Sequence, residues 1–143
     1  MPISLFINES DEIVVVFYIA ESIKTPGFVF ADTDKNTLIR IGGDEIDPTA
    51  IESHQASFRT PSFGDTNRIM DSGVKMSESE MFTVSPNQIR LERICTLIKS
   101  WSFKDGSGGE VRPTRENVKK LHPVVALTLG MALEGQLRER GTL

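Results

Sequence analysis

The sequence is poor in the residues that carry chemistry. It holds one cysteine (Cys95), two histidines (His54 and His122), one tryptophan (Trp101) and one tyrosine (Tyr18). A lone thiol makes neither an intramolecular disulfide nor a multi-cysteine zinc site, as suits a reducing compartment. Cys95 falls within an amphipathic helical pattern, where packing is expected of it and nucleophilic chemistry is not. No apolar run approaches the roughly 18 residues of a membrane span. The longest, residues 13–20, has the length of one buried strand. Met1-Pro2-Ile3-Ser4 lacks a basic stretch, so neither a secretory signal nor a membrane partner is expected.

What is present is ordinary for a folded chain. With 143 residues, 38% hydrophobic and 25% charged, it fits one compact domain that needs no metal or disulfide to fold. The net charge of −4 is unevenly spread. Residues 1–80 hold 6 Lys/Arg against 14 Asp/Glu, a balance of −8, and residues 81–143 hold 10 against 6, a balance of +4. Such a dipole can orient self-association or docking to a partner of mixed charge, or simply keep the chain soluble. It argues against nucleic acid, because the acidic half repels phosphates.

Three regions follow from the pattern. Residues 1–46 read as a small, mainly antiparallel sheet. Its strands are expected at residues 3–7 and 12–20, at Phe28-Val29-Phe30 and at Thr37-Leu38-Ile39-Arg40-Ile41. The unbroken apolar run from residue 13 suggests a strand buried on both faces. Residues 47–84 read as an irregular connecting segment, with Thr60-Pro61-Ser62-Phe63-Gly64 and Ser77-Glu78-Ser79-Glu80 as loop chemistry. Residues 85–143 read as about three helices. Ser85 caps the first, with Pro86 at its first position, and Leu91, Ile94, Cys95, Ile98 and Trp101 share one face. Arg90, Arg93 and Lys99 lie on the other side. Thr114 caps a short second helix carrying Val118 and Leu121, and His122 caps a third from Pro123 to about Arg140. Val124, Leu127, Met131 and Ala132 are expected on one side of that last helix. Ala126 and Gly130 leave a shallow spot for a neighbour. Strands first and helices after make an α+β fold.

Each candidate for catalysis or ligand binding fails on its spacing. Asp32-Thr33-Asp34-Lys35-Asn36 begins like a calcium loop, but the sixth place is Thr37 and the twelfth Gly43, where glycine and a bidentate glutamate belong. Gly106-Ser107-Gly108-Gly109 follows a helix and lacks the Gly-Lys-Ser/Thr ending of a phosphate loop. Asp44, Asp47 and His54 are the only plausible acid–base set, and nothing in the sequence brings them together. No enzyme, metal or cofactor is therefore expected. Large aromatics near loops remain. Phe58 and Phe63 flank Pro61, and Trp101 and Phe103 flank the end of the first C-terminal helix. With Leu121 they form the candidate partner-binding set. A purely architectural role, sealing the sheet against the helices, is the competing reading.

One stretch resembles a known family. Residues 94–103, Asp105-Gly106, Val111, Pro113-Thr114, Glu116-Asn117 and Leu121-His122-Pro123 resemble tail assembly chaperones of tailed bacteriophages. The likeness spans residues 89–137, an apolar helix ending in a Ser-Trp-x-Phe phrase, an Asp-Gly turn, then Pro-Thr and a Leu-x-Pro before a final helix. It implies a morphogenesis factor in the host cytoplasm that binds the tape-measure protein and keeps it soluble while the tail tube polymerises. It also implies no active site. The same residues allow a structural virion protein instead, such as a capsid decoration, head–tail joining or baseplate subunit. The sheet would then sit on a lattice, and self-association stays open in either case.

Overall fold

The computed structural model describes residues 4–8, 10–76 and 81–143. It is an α+β fold built on a four-stranded antiparallel sheet in the order β2-β1-β3-β6. Strand β1 (Glu12–Glu21) lies beside β2 (Val29–Asp32) on one side and β3 (Glu52–Arg59) on the other. Between β2 and β3 comes helix α1 (Lys35–Gly42), and after β3 comes α2 (Phe63–Ser72). A separate two-stranded ribbon pairs β4 (Val74–Met76) with β5 (Phe82–Val84). Helix α3 (Pro86–Leu97) then runs directly into β6 (Ile98–Trp101), and α4 (Arg115–Lys119) and α5 (Pro123–Glu139) close the chain. No described helix is long and apolar enough to cross a membrane.

Strand β1 is buried on one face along most of its length, not on both. Ile13, Val15 and Phe17 point into the core while Val14 and Val16 are largely exposed, so the unbroken apolar run hides a period of two. The main core joins those three side chains and Phe58 of β3 to Ile69 of α2, Ile94 and Leu97 of α3, Val118 of α4, and Leu129, Leu133 and Leu137 of α5. At the far end of β1 the opposite face is covered too. Ala20 packs there with Leu38 and Ile46 in a second, smaller cluster.

That cluster explains why residues 37–41 form a helix and not a strand. The Asp34 carboxylate accepts the Asn36 N–H at 2.9 Å, capping α1. The helical turn then brings Leu38 and Gly42 to the buried side. Two further expectations fail. Residues 4–8 contain no strand, and Ile3 lies outside the described residues. Residues 47–84 are not an irregular connection, because they supply the central strand β3 and the helix α2. Strand β3 reads as polar because Ser53, Gln55 and Ser57 share one face, while Ala56 and Phe58 occupy the other. Of the loop residues named from the sequence, 77–80 lie outside the described residues.

Helix α3 ends sooner than its periodicity suggests. At Ile98 the backbone turns extended (φ −61°, ψ 132°), and the next residues pair with β3, Trp101 opposite Ala56. In α5 the buried stripe is Val125, Leu129, Leu133 and Leu137, whereas Leu127 and Met131 of the expected face are exposed. The N-caps at Ser85, Thr114 and His122 form as the sequence indicates, the last through Nδ1 accepting the Val124 N–H at 3.2 Å.

Candidate functional site

A cleft of about 370 Å³ opens where α2, α3 and α5 meet. Local sequence builds each wall. Helix α2 starts in a capping box, with the Ser62 hydroxyl accepting the Asp65 N–H and the Asp65 carboxylate accepting the Ser62 N–H at 3.0 Å. Asp65 also takes two hydrogen bonds from Arg59, one at 2.9 Å, which ties the helix start to the end of β3. The Arg59 guanidinium holds the Asp65 carboxyl well below the usual carboxylate range, against the opposing effect of burial. Helix α3 is pressed close to the end of α2. A Cβ at Gly73 would stand 2.2 Å from the Ile89 side chain, so only glycine admits this approach.

The cleft is apolar on its floor and charged at one wall. Ile69 and Met70 come from α2, Ile89 and Leu97 from α3, and Leu137 from α5. At the wall, Glu134 of α5 accepts from Arg90 at 3.0 Å and from Arg93 at 3.2 Å. Two guanidinium groups share one carboxylate, which leaves an excess positive charge beside the apolar floor. All three side chains are mostly shielded from solvent. Burial pulls the Arg93 pKa below its ordinary value, with Glu134 opposing the shift. Arg90 reaches Glu134 by lying across Gly130, where a Cβ would stand 2.3 Å from its Cδ. The shallow spot expected at Ala126 and Gly130 is thus filled by a side chain of α3. A neighbouring pair, Arg115 with Glu92 (both contacts 2.8 Å), clamps α4 to α3.

The residues singled out in the sequence do not gather in this cleft. Phe58 is 0% exposed at the centre of the core, which removes it from any surface. Phe63 is 82% exposed at the first position of α2. Trp101 and Phe103 are half-buried and stacked, with ring centroids 4.6 Å apart, and the Trp101 Nε1–H donates to the Val111 carbonyl. Phe103 meets Phe17 edge-on, and Leu121 packs half-buried against the main core. Comparison of the chain with family models, with curated proteins and with solved structures gives no match.

The Asp44, Asp47 and His54 set is likewise dispersed among separate partners. Asp44 binds Lys24 at 2.7 Å, which lowers its pKa, and Asp47 accepts the Thr49 N–H at 2.9 Å as the cap of a 3-10 turn. His54 lies 3.1 Å from Glu52 and packs on Phe103. Cys95 is half-buried, and burial raises its thiol pKa. Sequence reasoning missed Arg90, Arg93 and Glu134 as a site, placing the arginines only on the side of the helix opposite its apolar face. The available signal was the i, i+3 spacing of Arg90 and Arg93, which puts both on one side of α3.

Proposed function

We propose that this protein is a non-enzymatic assembly factor that shields an apolar segment of a partner protein in the α2–α3–α5 cleft. The observation that carries the reading is the cleft itself, with the Ile69, Ile89, Leu97 and Leu137 floor beside the Arg90–Glu134–Arg93 wall. A floor of this kind takes one apolar row of an amphipathic helix, and the excess positive charge suits an acidic residue flanking that row. The resemblance of residues 89–137 to tail assembly chaperones narrows the partner to the tape-measure protein of a tailed phage. On that reading the protein acts in the host cytoplasm, and its work needs no cofactor. A virion structural subunit is the second reading, and the exposed sheet face around Val14 and Val16 favours it as a surface for lattice contacts.

Quantitative mass spectrometry of purified particles against infected-cell lysate separates the two. Abundance in the lysate with absence from particles is the result expected of a chaperone. A fixed copy number per particle would overturn it in favour of the virion subunit.

A further inference from the structure

Strand β1 has an open edge. Strand β2 pairs only with residues 18–21 of β1, so residues 12–17 have no strand partner on that side among the described residues. The direction of the backbone groups follows from Ser22, whose N–H donates to the Phe28 carbonyl at 2.7 Å and continues the β1–β2 ladder. Even-numbered residues of β1 therefore turn their N–H and C=O towards the β2 side, which leaves those of Glu12, Val14 and Val16 on the open edge. Beside this edge runs a groove of about 620 Å³, bounded at one end by Thr33 and flanked by Thr128, Ala132 and Gly135 of α5. The flank is low, and a Cβ added at Gly135 would meet nothing within 4 Å.

The same chain carries a segment suited to that groove. Residues 4–8 bear no charge, and Leu5 and Phe6 are 86% and 87% exposed. Their five-residue length fits within the open stretch of residues 12–17. An uncharged segment also avoids repulsion from Glu12, Asp32 and Glu139 around the groove. The segment does not lie on its own edge, for a geometric reason. The Asp11 N–H donates to the Asn8 carbonyl at 3.0 Å, and the Thr60 hydroxyl donates to the Asp11 carbonyl at 3.2 Å. As an odd-numbered residue, Asp11 turns these groups towards β3, so the segment leaves β1 on the side away from the open edge.

We propose that residues 4–8 of one copy add as a strand to the open β1 edge of a second copy, with Leu5 and Ile7 turned to the Thr128–Ala132–Gly135 flank of α5 and Phe6 to the opposite face beside Val14 and Val16. The inference is independent of what the α2–α3–α5 cleft binds.

The test is sedimentation equilibrium of the purified full chain from micromolar to sub-millimolar concentration, read beside hydrogen exchange at Val14 and Val16. Reversible self-association is expected, with both amides protected in the associated form only. The donor variant Leu5→Ser/Phe6→Ser changes two exposed side chains and should lower the association constant by about a hundredfold or more. The acceptor variants Gly135→Leu, which fills the groove, and Val14→Pro, which removes an edge N–H without touching the β3 ladder, should do the same. Mixing the donor variant with Gly135→Leu should restore a one-to-one complex, since each keeps the half the other lacks. A chain that stays monomeric at every concentration overturns the proposal, whether the two amides are protected (the segment on its own edge) or open. So does a donor variant that associates as well as the parent.

Discussion

Replacing Asp65 by alanine removes one carboxylate that serves two structural purposes. Its backbone-directed bond closes the capping box of α2, and losing a cap of this type costs about 1 kcal/mol. Its paired bonds from Arg59 are charge-assisted in a site where the Asp65 side chain is only 11% exposed. Hydrogen bonds to charged groups contribute about 1.5–3 kcal/mol, and Arg59, at 30% exposure, recovers part of this from water. The expected loss is therefore about 2–3 kcal/mol, or roughly 6–12 °C in melting temperature for a chain of this size. Urea denaturation followed by circular dichroism reads it directly. Arg68→Ala, which removes only the more exposed partner of Asp65, should change stability by less than about 0.5 kcal/mol. The folded Asp65 pKa is depressed, so its stabilisation is complete above the unfolded-state value and lost as pH falls through the folded one. The parent should therefore lose stability on acidification below about pH 4 more steeply than Asp65→Ala. A loss under about 0.5 kcal/mol, or parallel acid profiles, would refute the assignment of Asp65 as the anchor of α2.

Three further outcomes are expected. Gly73→Ala should destabilise by about 1–3 kcal/mol in the same urea titration, because the new methyl enters the Ile89 side chain and α3 must move. Trp101→Phe, which keeps a ring on Phe103 but gives up the bond to the Val111 carbonyl, should cost about 1 kcal/mol, and Trp101→Ala about 2–4 kcal/mol. Folded Trp101→Ala with parent-like stability would move that residue from architecture to partner contact. Cys95 should react with a thiol reagent at neutral pH at least about tenfold more slowly in the folded chain than in urea, since burial raises its pKa and limits access.

The parts of this fold legible in the sequence are those written in local grammar. Ser85, Thr114 and His122 announce their helices because a cap acts within three residues of itself. The parts that were not legible depend on what lies across the fold. Residues 37–41 read as a strand from β-branched Thr37, Ile39 and Ile41 between two turn signals, until Ala20 and Ile46 provide a seat for Leu38 on a helix. Strand β3 carries only Ala56 and Phe58 as inward apolar residues, and its identity comes from lying between β1 and β6. Trp101 lies on the apolar face expected of a helix, yet reaches the core as part of a strand. The cleft was hidden for a related reason. Arg90 and Arg93 look like ordinary solvated side chains until Glu134, more than forty residues away, comes to lie against them. Phe58 was a candidate anchor because it neighbours Pro61, whereas its position opposite Ile13 in the sheet decides its burial.

The most direct test of the central claim is co-expression of the full chain with a tape-measure protein of a tailed phage, the partner proposed above, measuring the soluble fraction of that protein and its co-purification. The account predicts that the partner becomes soluble and co-purifies. It also predicts that Ile69→Asp, which places a carboxylate in the cleft floor, or the milder Met70→Glu at its more exposed rim, abolishes both effects, provided circular dichroism shows the variant folded. A partner that stays insoluble beside abundant folded chain, or one rescued equally well by a folded cleft variant, would contradict it.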